Sequence, residues 1–161
     1  MSKTVLLVPF QLDEARFALY LSAVERVLRA VSIAALPNSP DVVLGVINMH
    51  GVIVPVVSTR RRFGLPDRDV ELDDRLIIAT IPASESYSRS RRVALLVDSV
   101  TVVTDVPIES IVSVSSLLPG VERIGGVAGV ADGLILIHDL DRFLSQSDSM
   151  MLDSALEGSD G

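Results

Sequence analysis

Two histidines, His50 and His138, are the side chains of this 161-residue chain best suited to proton transfer or metal binding near neutral pH. They fall in different apolar runs, and no third ligand stands at a usual zinc spacing from either. His138-Asp139 has the form of the back half of a catalytic triad, but the chain has no Gly-x-Ser-x-Gly elbow, so this histidine reads as a hydrogen-bonded structural residue at a strand end. Gly125-Gly126-Val127-Ala128-Gly129 lacks the Lys-Ser/Thr of a phosphate loop and the long helix of a dinucleotide fingerprint. Its glycines read instead as places where sheet layers approach closely, or as bulges. Arg60-Arg61-Arg62, and the group Arg89, Arg91 and Arg92, read as solvated strand ends or as contacts for an acidic protein. Asp73-Asp74 and Asp139-Asp141 read as a solvated loop and a helix start. With no cysteine, a thiolate metal site, a disulfide and a cysteine nucleophile are excluded. No catalytic residue, metal ligand or cofactor is expected, which leaves binding as the function. An enzyme on this scaffold would need His50 or His138 beside carboxylates in a cleft.

Charge points the same way. Fourteen basic against 21 acidic residues give a net charge of −7, which opposes attraction to phosphate backbones and anionic lipid. Aromatic residues are only 4%, too few for the stacking platforms of a nucleic-acid-binding barrel. Neither nucleic acid nor direct membrane contact is expected. Apolar residues reach 48% and the mean hydropathy is +0.47, yet no stretch approaches the roughly 18 apolar residues of a spanning helix. The run Val5 to Phe10 is shorter than a secretory core of about 7 residues or more. A cytoplasmic protein is expected.

The elements that must position any binding surface are strands. Valine, isoleucine and leucine dominate the apolar set, and β-branched side chains fit a pleated surface better than a helix. About ten short apolar runs alternate with turn residues. They are Val5–Gln11, Arg16–Tyr20, Val24–Ile33, Val43–Asn48, Val52–Val57, Arg75–Ile81, Arg92–Val97, Val100–Pro107, Ile124–Val130 and Leu134–His138. His50-Gly51 and Asp132-Gly133 are tight hairpin turns by composition. Pro55 marks its strand as an edge or a bulge. Leu21 to Leu28 fits either a helical turn or continuous strand. Pro66 to Asp74 and Pro82 to Ser90 read as loops that need not be ordered, the first dividing two lobes. Asp139 to Leu144 has helical spacing, and Ser147 to Leu156 either extends that helix or forms a second one.

Three segments in order carry a family resemblance: Leu36-Pro37-Asn38-Ser39-Pro40, Gly45-Val46-Ile47-Asn48-Met49-His50-Gly51, and Val52-Ile53-Val54-Pro55-Val56-Val57. They resemble the Leu-Pro-x-x-Pro, Gly-x-x-Asn-Leu-Arg-Gly and x-Ile-x-Pro-Val segments of CheW-type chemotaxis coupling proteins. Phe17-Ala18-Leu19-Tyr20-Leu21 with Val24 and Val27, Val97-Asp98-Ser99-Val100, and Leu134 to Phe143 extend the likeness over about residues 5–146. The resemblance implies a mostly β fold of two small five-stranded barrel lobes packed side by side, with a C-terminal helix. It implies one domain over 1–161, its core about 5–146, a lobe division near 64–75, and a helix or tail over 147–161. It further implies a non-catalytic scaffold of two-component signal transduction, bridging the cytoplasmic tip of a methyl-accepting chemoreceptor to the regulatory domain of a CheA-type histidine kinase.

By matching position, Val24, Arg26 and Val27 are expected in the receptor-facing groove, and Val46, Asn48, Met49 and His50 on surfaces shared with kinase or receptor. Gly45 and Gly51 are assigned to turn geometry, Pro55 to an edge, and Asn48 to a hydrogen bond that holds the hairpin. The chain departs from the family in three places. His50 stands where the family has arginine, Arg26 where it has an acid, and Ser58 where it has aspartate. Those at Arg26 and His50 point to a divergent set of partners, such as those of a pathway controlling pili, surface behaviour or a second messenger.

Overall fold

In the computed structural model, which describes residues 3–30, 32–81, 90–112, 124–130, 133–138 and 146–158, nearly every apolar run becomes a strand. In chain order the elements are β1 (Thr4–Leu12), β2 (Ala15–Tyr20), β3 (Val24–Arg29), β4 (Val43–Met49), β5 (Val52–Ser58), the one-turn helix α1 (Thr59–Arg62), β6 (Arg75–Ile81), β7 (Arg91–Val97), β8 (Ser99–Val100), β9 (Thr104–Pro107), β10 (Ile111–Val112), β11 (Ile124–Val130), β12 (Gly133–His138) and α2 (Gln146–Gly158). The fold is mostly β in two lobes. One lobe is a five-stranded sheet ordered β3-β6-β7-β5-β4. The other is a seven-stranded sheet ordered β10-β11-β12-β2-β1-β8, with β9 also on β1.

The two lobes share one strand plan. In the first, β3–β6 and β6–β7 are antiparallel, β7–β5 parallel and β5–β4 antiparallel. In the second, β9–β1 and β1–β2 are antiparallel, β2–β12 parallel and β12–β11 antiparallel. The chain beyond each edge strand then curls back towards the far strand. Ala34 bridges Val46 on β4, and β10 pairs with β11. Each sheet therefore bends toward a barrel, although among the described residues no continuous ladder closes it. The matching bulges, between Val43 and Gly45 and between Ile124 and Gly126, fall where that returning chain crosses.

Alternation sorts the side chains into three apolar layers. Leu76 and Ile78 of β6 and Ala94 of β7 face the inside of the first lobe with Ile47, Val54 and Val56. Leu7, Ala18, Ile135 and Ile137 fill the second lobe. The intervening residues Ile77, Ala79, Leu95 and Val97 meet Phe10, Leu12, Phe17 and Leu19 between the lobes. Both faces of these strands are buried, which is why they read as unbroken apolar runs. Leu152 and Ala155, three residues apart on one face of α2, pack into the inter-lobe layer. Salt bridges from Arg62 to Asp148 and from Arg91 to Asp153 anchor the same helix.

Several expectations change. Residues 64–75 do not divide the lobes: they connect β5 to β6 within one sheet, and the chain changes sheets between β2 and β3 and again between β7 and β8. Loop composition marks a connection, but strand pairing decides membership, and pairing is non-local. The run Val24–Ile33 ends as strand at Arg29, preceded by a 3₁₀ turn at Leu21–Ala23. The run Val100–Pro107 splits into β8 and β9, which pair with successive parts of β1. Gly45 lies in the β4 bulge rather than in a turn. The reading of Asp139 to Leu144 as helix, the pair Asp139-Asp141, and the loop at 82–89 lie outside the described residues.

Candidate partner-binding site

β3 is the exposed edge of its sheet. Its ladder to β6 contains a bulge at Glu25, where Val24 pairs with Ala79 and Arg26 with Ile78. Glu25 reaches across β6 to Arg92 at 2.8 Å, so the carboxylate one place from Arg26 serves the outer sheet surface as a bulge residue. Arg26 and Val27 are exposed and Val24 is half-buried. Val27 pairs with Ile77, a residue of the inter-lobe layer, and Val24 and Ala23 pack against that layer. On β1, Leu6 shares by alternation the face that carries Val8, Phe10 and Leu12, and it is 45% exposed against 39% for Val27. The inter-lobe layer thus reaches the surface as an apolar seam at Val24 and Val27 of one lobe, and alternation puts Leu6 on the face of β1 that meets the same layer. Sequence reasoning missed Leu6, because only the sheet assignment shows that it shares a seam with β3.

The β4–β5 hairpin supplies a second exposed feature. His50 and Gly51 have φ of 52° and 90°, so both central residues of the two-residue turn lie in the left-handed region that such hairpins require. The Gly51 N–H donates to Asn48 Oδ1 at 2.7 Å, which closes the turn. His50 and Asn48 are exposed. Val46 is half-buried against the inter-lobe layer and Met49 against the interior of the first lobe. β5 pairs with β7 only over Val56–Ser58, so Val52–Pro55 has β4 on one side and no ladder on the other. Pro55, which has no N–H to offer, stands where that second ladder begins. Val52 and Ile53 are about half exposed there, more so than Val46 or Met49.

On the crossover side of the molecule the basic run behaves differently from its sequence reading. Arg60 is only 8% exposed and Asp74 only 3%. Arg60 forks onto Asp13 at 2.7 and 3.2 Å, donates to Asp98 at 2.7 Å, and also reaches the Pro66 carbonyl. Arg68 forks onto Asp74 and donates to the other Asp98 oxygen at 2.7 Å. Asp98 also accepts the Asp13 N–H. Arg60, Arg68, Asp74 and Asp98 line a cavity of about 370 Å³ with Ser58, Leu96 and Val70. Arg60 and Asp74 are therefore internal members of a bidentate ion-pair network, not solvated groups, and the network holds the 66–74 loop in place. Burial is tolerated because each charge is paired and hydrogen-bonded.

The hydrogen bond to Asp13 raises the pKa of Arg60 against the opposing effect of burial, with Asp98 adding to the rise. Burial works against ionisation of Asp98, but the Asp13 N–H bond, the Arg60 bond and the charge of Arg68 outweigh it and hold the carboxyl below its ordinary range. A carboxyl lowered in the folded state contributes stability that is present above its unfolded pKa of about 3.9 and lost as pH falls through the folded value. The urea midpoint is expected to drop on acidification below about pH 4. Asp98→Asn is expected to start lower and to lose less over that range. An acid limb of equal steepness in the two proteins would remove Asp98 from this account.

His138 is buried edge-on against Phe63 at 4.8 Å, and it lies in the other sheet from His50. Among the described residues no group of three or more His, Asp or Glu could hold a metal ion, and no helix is long and apolar enough to cross a membrane.

Two curled β lobes packed across an apolar layer, one of them carrying an exposed hairpin, are the architecture of a family of adaptors. Residues 6–148 match the CheW-like domain, and the chain belongs to that family of chemotaxis coupling adaptors. It is 26% identical over 145 residues to the probable chemotaxis protein CheW of Rhizobium etli, covering 89% of each chain. It is 27% identical over 137 residues to the chemotaxis protein CheW of Rhizobium meliloti, covering 84% of each. The crystal structure of the scaffolding protein TtCheW from Thermoanaerobacter tengcongensis superposes with a TM-score of 0.74 at 30% identity, over 89% of this chain and 93% of that one.

Proposed function

We infer that this chain is a non-catalytic cytoplasmic adaptor that holds the tip of a methyl-accepting chemoreceptor against the regulatory domain of a CheA-type histidine kinase. The observation that carries the reading is the exposed seam of Val24, Val27 and Leu6 on a chain of the CheW-like family. An apolar seam with charged residues such as Arg26 on its rim suits an amphipathic helix laid into a groove, the form that a helical receptor tip offers. The hairpin offers a separate surface for the kinase, in which Asn48 shapes the turn, His50 caps it, and Val52 and Ile53 supply exposed apolar area beside Val46 and Met49.

Calorimetric titration with the regulatory domain of the CheA-type kinase from the same genome, at moderate salt, tests the kinase half. Saturable binding is expected, weakened at least about tenfold by Ile53→Glu, which puts a charge into a contact where about 1.4 kcal/mol is a factor of ten. Absence of binding to every such kinase in that genome would overturn the reading.

Arg26 and His50 favour a second reading in which the output is not swimming but a chemotaxis-like pathway with its own receptor and kinase. An imidazole cannot make the bidentate contact of the arginine that the family carries at that place. In the same titration format, a standard receptor tip is expected to bind the Arg26→Glu, His50→Arg double variant more tightly than the wild type. No gain would sink this second reading.

A further inference from the structure

The polar network beside the lobe crossover joins four separate pieces of chain. Asp13 belongs to the β1–β2 turn of the seven-stranded lobe, and Asp98 to the crossover between β7 and β8. Arg60 lies in α1, and Arg68 and Asp74 in the connection from β5 to β6. Asp13 and Arg60 therefore form a two-pronged contact from one lobe to the other, with Asp98 tied to both through the Asp13 N–H and the Arg60 guanidinium. Among the described residues the large layer between the lobes is apolar. Apolar burial is strong but non-directional, so it opposes separation more than rotation. A fork of two parallel hydrogen bonds fixes an angle as well as a distance.

β1 links this tie to the seam. Leu12 and Asp13 stand at one end and Leu6 at the other. From Leu6 to Asp13 the chain extends about 23 Å at roughly 3.3 Å per residue, so a rotation of about 5° at the tie moves Leu6 by about 2 Å. Leu6 is one wall of the seam and the β3 residues are the other.

We propose that the Asp13–Arg60–Asp98 tie sets the width of the apolar seam between the lobes, so that Asp13 and Arg60 are positioning residues for whatever helix the seam holds, without touching it. The inference rests on the adaptor reading for the identity of that helix, but not for the mechanical claim. Asp13 suits a clean test because its φ is 55°. Asparagine tolerates that conformation as well as aspartate does, so Asp13→Asn removes the carboxylate without straining the turn.

The experiment uses the full chain, which has no cysteine of its own. Spin labels go on cysteines placed at Lys3 and Arg29, both exposed and one on each lobe. Inter-label distances are measured by pulsed electron resonance in the parent, Asp13→Asn and Asp13→Glu proteins. Each unlabelled protein is titrated with a coiled-coil fragment carrying a chemoreceptor tip from the same genome, and with the kinase regulatory domain. Asp13→Asn is expected to broaden or shift the distance distribution and to weaken the receptor fragment about tenfold. Kinase binding should stay within about twofold, since an overall loss of fold would lower both, and Asp13→Glu should recover much of the receptor affinity. Arg60→Lys, which keeps the charge and loses the fork, provides a second route should Asp13→Asn fold poorly. Unchanged distances in a folded variant overturn the proposal, as do changed distances with unchanged receptor affinity. A parent protein that fails to bind the receptor fragment overturns the adaptor reading, and the label distances then decide the mechanical claim alone.

Discussion

Gly45→Ala is expected to be among the most damaging single-methyl additions to this chain, lowering stability by about 3 kcal/mol or more as read from the urea midpoint. A Cβ built on Gly45 would stand 2.1 Å from the Ala34 carbonyl oxygen and 2.9 Å from the Ala34 carbonyl carbon, both backbone atoms that cannot rotate away. Its φ of 156° adds strain for any L side chain. Relief requires opening the two hydrogen bonds between Ala34 and Val46, at 2.8 and 2.9 Å, which bring the chain after β3 back onto β4. Gly126 occupies the matching bulge of the other lobe. Its nearest contacts would be the Ile111 Cγ2 at 2.9 Å and the Val112 carbonyl oxygen at 3.3 Å, and a side-chain methyl can shift, so Gly126→Ala should cost clearly less. At Gly51 nothing lies within 4 Å and only the positive φ resists, which limits the cost to roughly 1 kcal/mol. The order Gly45, Gly126, Gly51 is the testable content. A Gly45→Ala protein within about 1 kcal/mol of wild type would show that the Ala34 bridge does not seal the first lobe.

Phe17→Ala is expected to remove about 3–5 kcal/mol. Phe17 stacks on Phe10 at 5.7 Å and on Phe63 at 4.6 Å, with ring planes within 19° and 12°. Phe10 and Phe17 belong to the seven-stranded lobe, whereas Phe63 follows α1 at the end of β5 in the other. Three of the four phenylalanines thus form one column across the lobe boundary, and its central member is almost fully buried. The loss combines transfer free energy, an unfilled cavity and two ring contacts. For a chain of this length it corresponds to a fall in Tm of about 6–20 °C, at roughly 2–4 °C per kcal/mol. Phe17→Leu keeps most of the volume and should cost less. A Phe17→Ala protein that melts within about 2 °C of wild type would mean that the column carries no weight in holding the lobes together.

How the sequence relates to this structure differs from element to element. The runs at Arg75–Ile81 and Ile124–Val130 coincide with β6 and β11, and in β6 the reason is plain, since both faces of the strand are buried and the apolar residues run almost unbroken. The His50-Gly51 turn and its Asn48 bond follow from local chemistry, since both need only residues within three places of one another. Arg60 shows the opposite case. Its neighbours are two more arginines, so a local reading places it in water, while the carboxylates that receive it are 38 and 47 residues away. Asp74 is misread for a similar reason. It looks like one acid among several in a loop, yet Arg68 and the Glu71 N–H bind it in the folded chain. Arg60 and the aspartate of the Val97-Asp98 segment were both visible as residues, but no spacing rule joins them.

By itself, the sequence determined the mostly β class, the position of nearly every strand, the His50-Gly51 turn and the family, since each depends on periodicity, on turn chemistry or on short patterns kept in order. Only the tertiary structure decided that the N-terminal hairpin β1–β2 completes the lobe built from β8 to β12, and that a loop at 64–75 joins strands of one sheet. It also decided that Leu6 and Val27, far apart in the chain, lie on the strand faces that meet the inter-lobe layer, and that Arg60 and Asp98 join Asp13 across the lobes. The physical reason is common to all four. A strand's tendency to extend is local, but its partner is chosen by hydrogen-bond ladders and apolar faces that close over long loops.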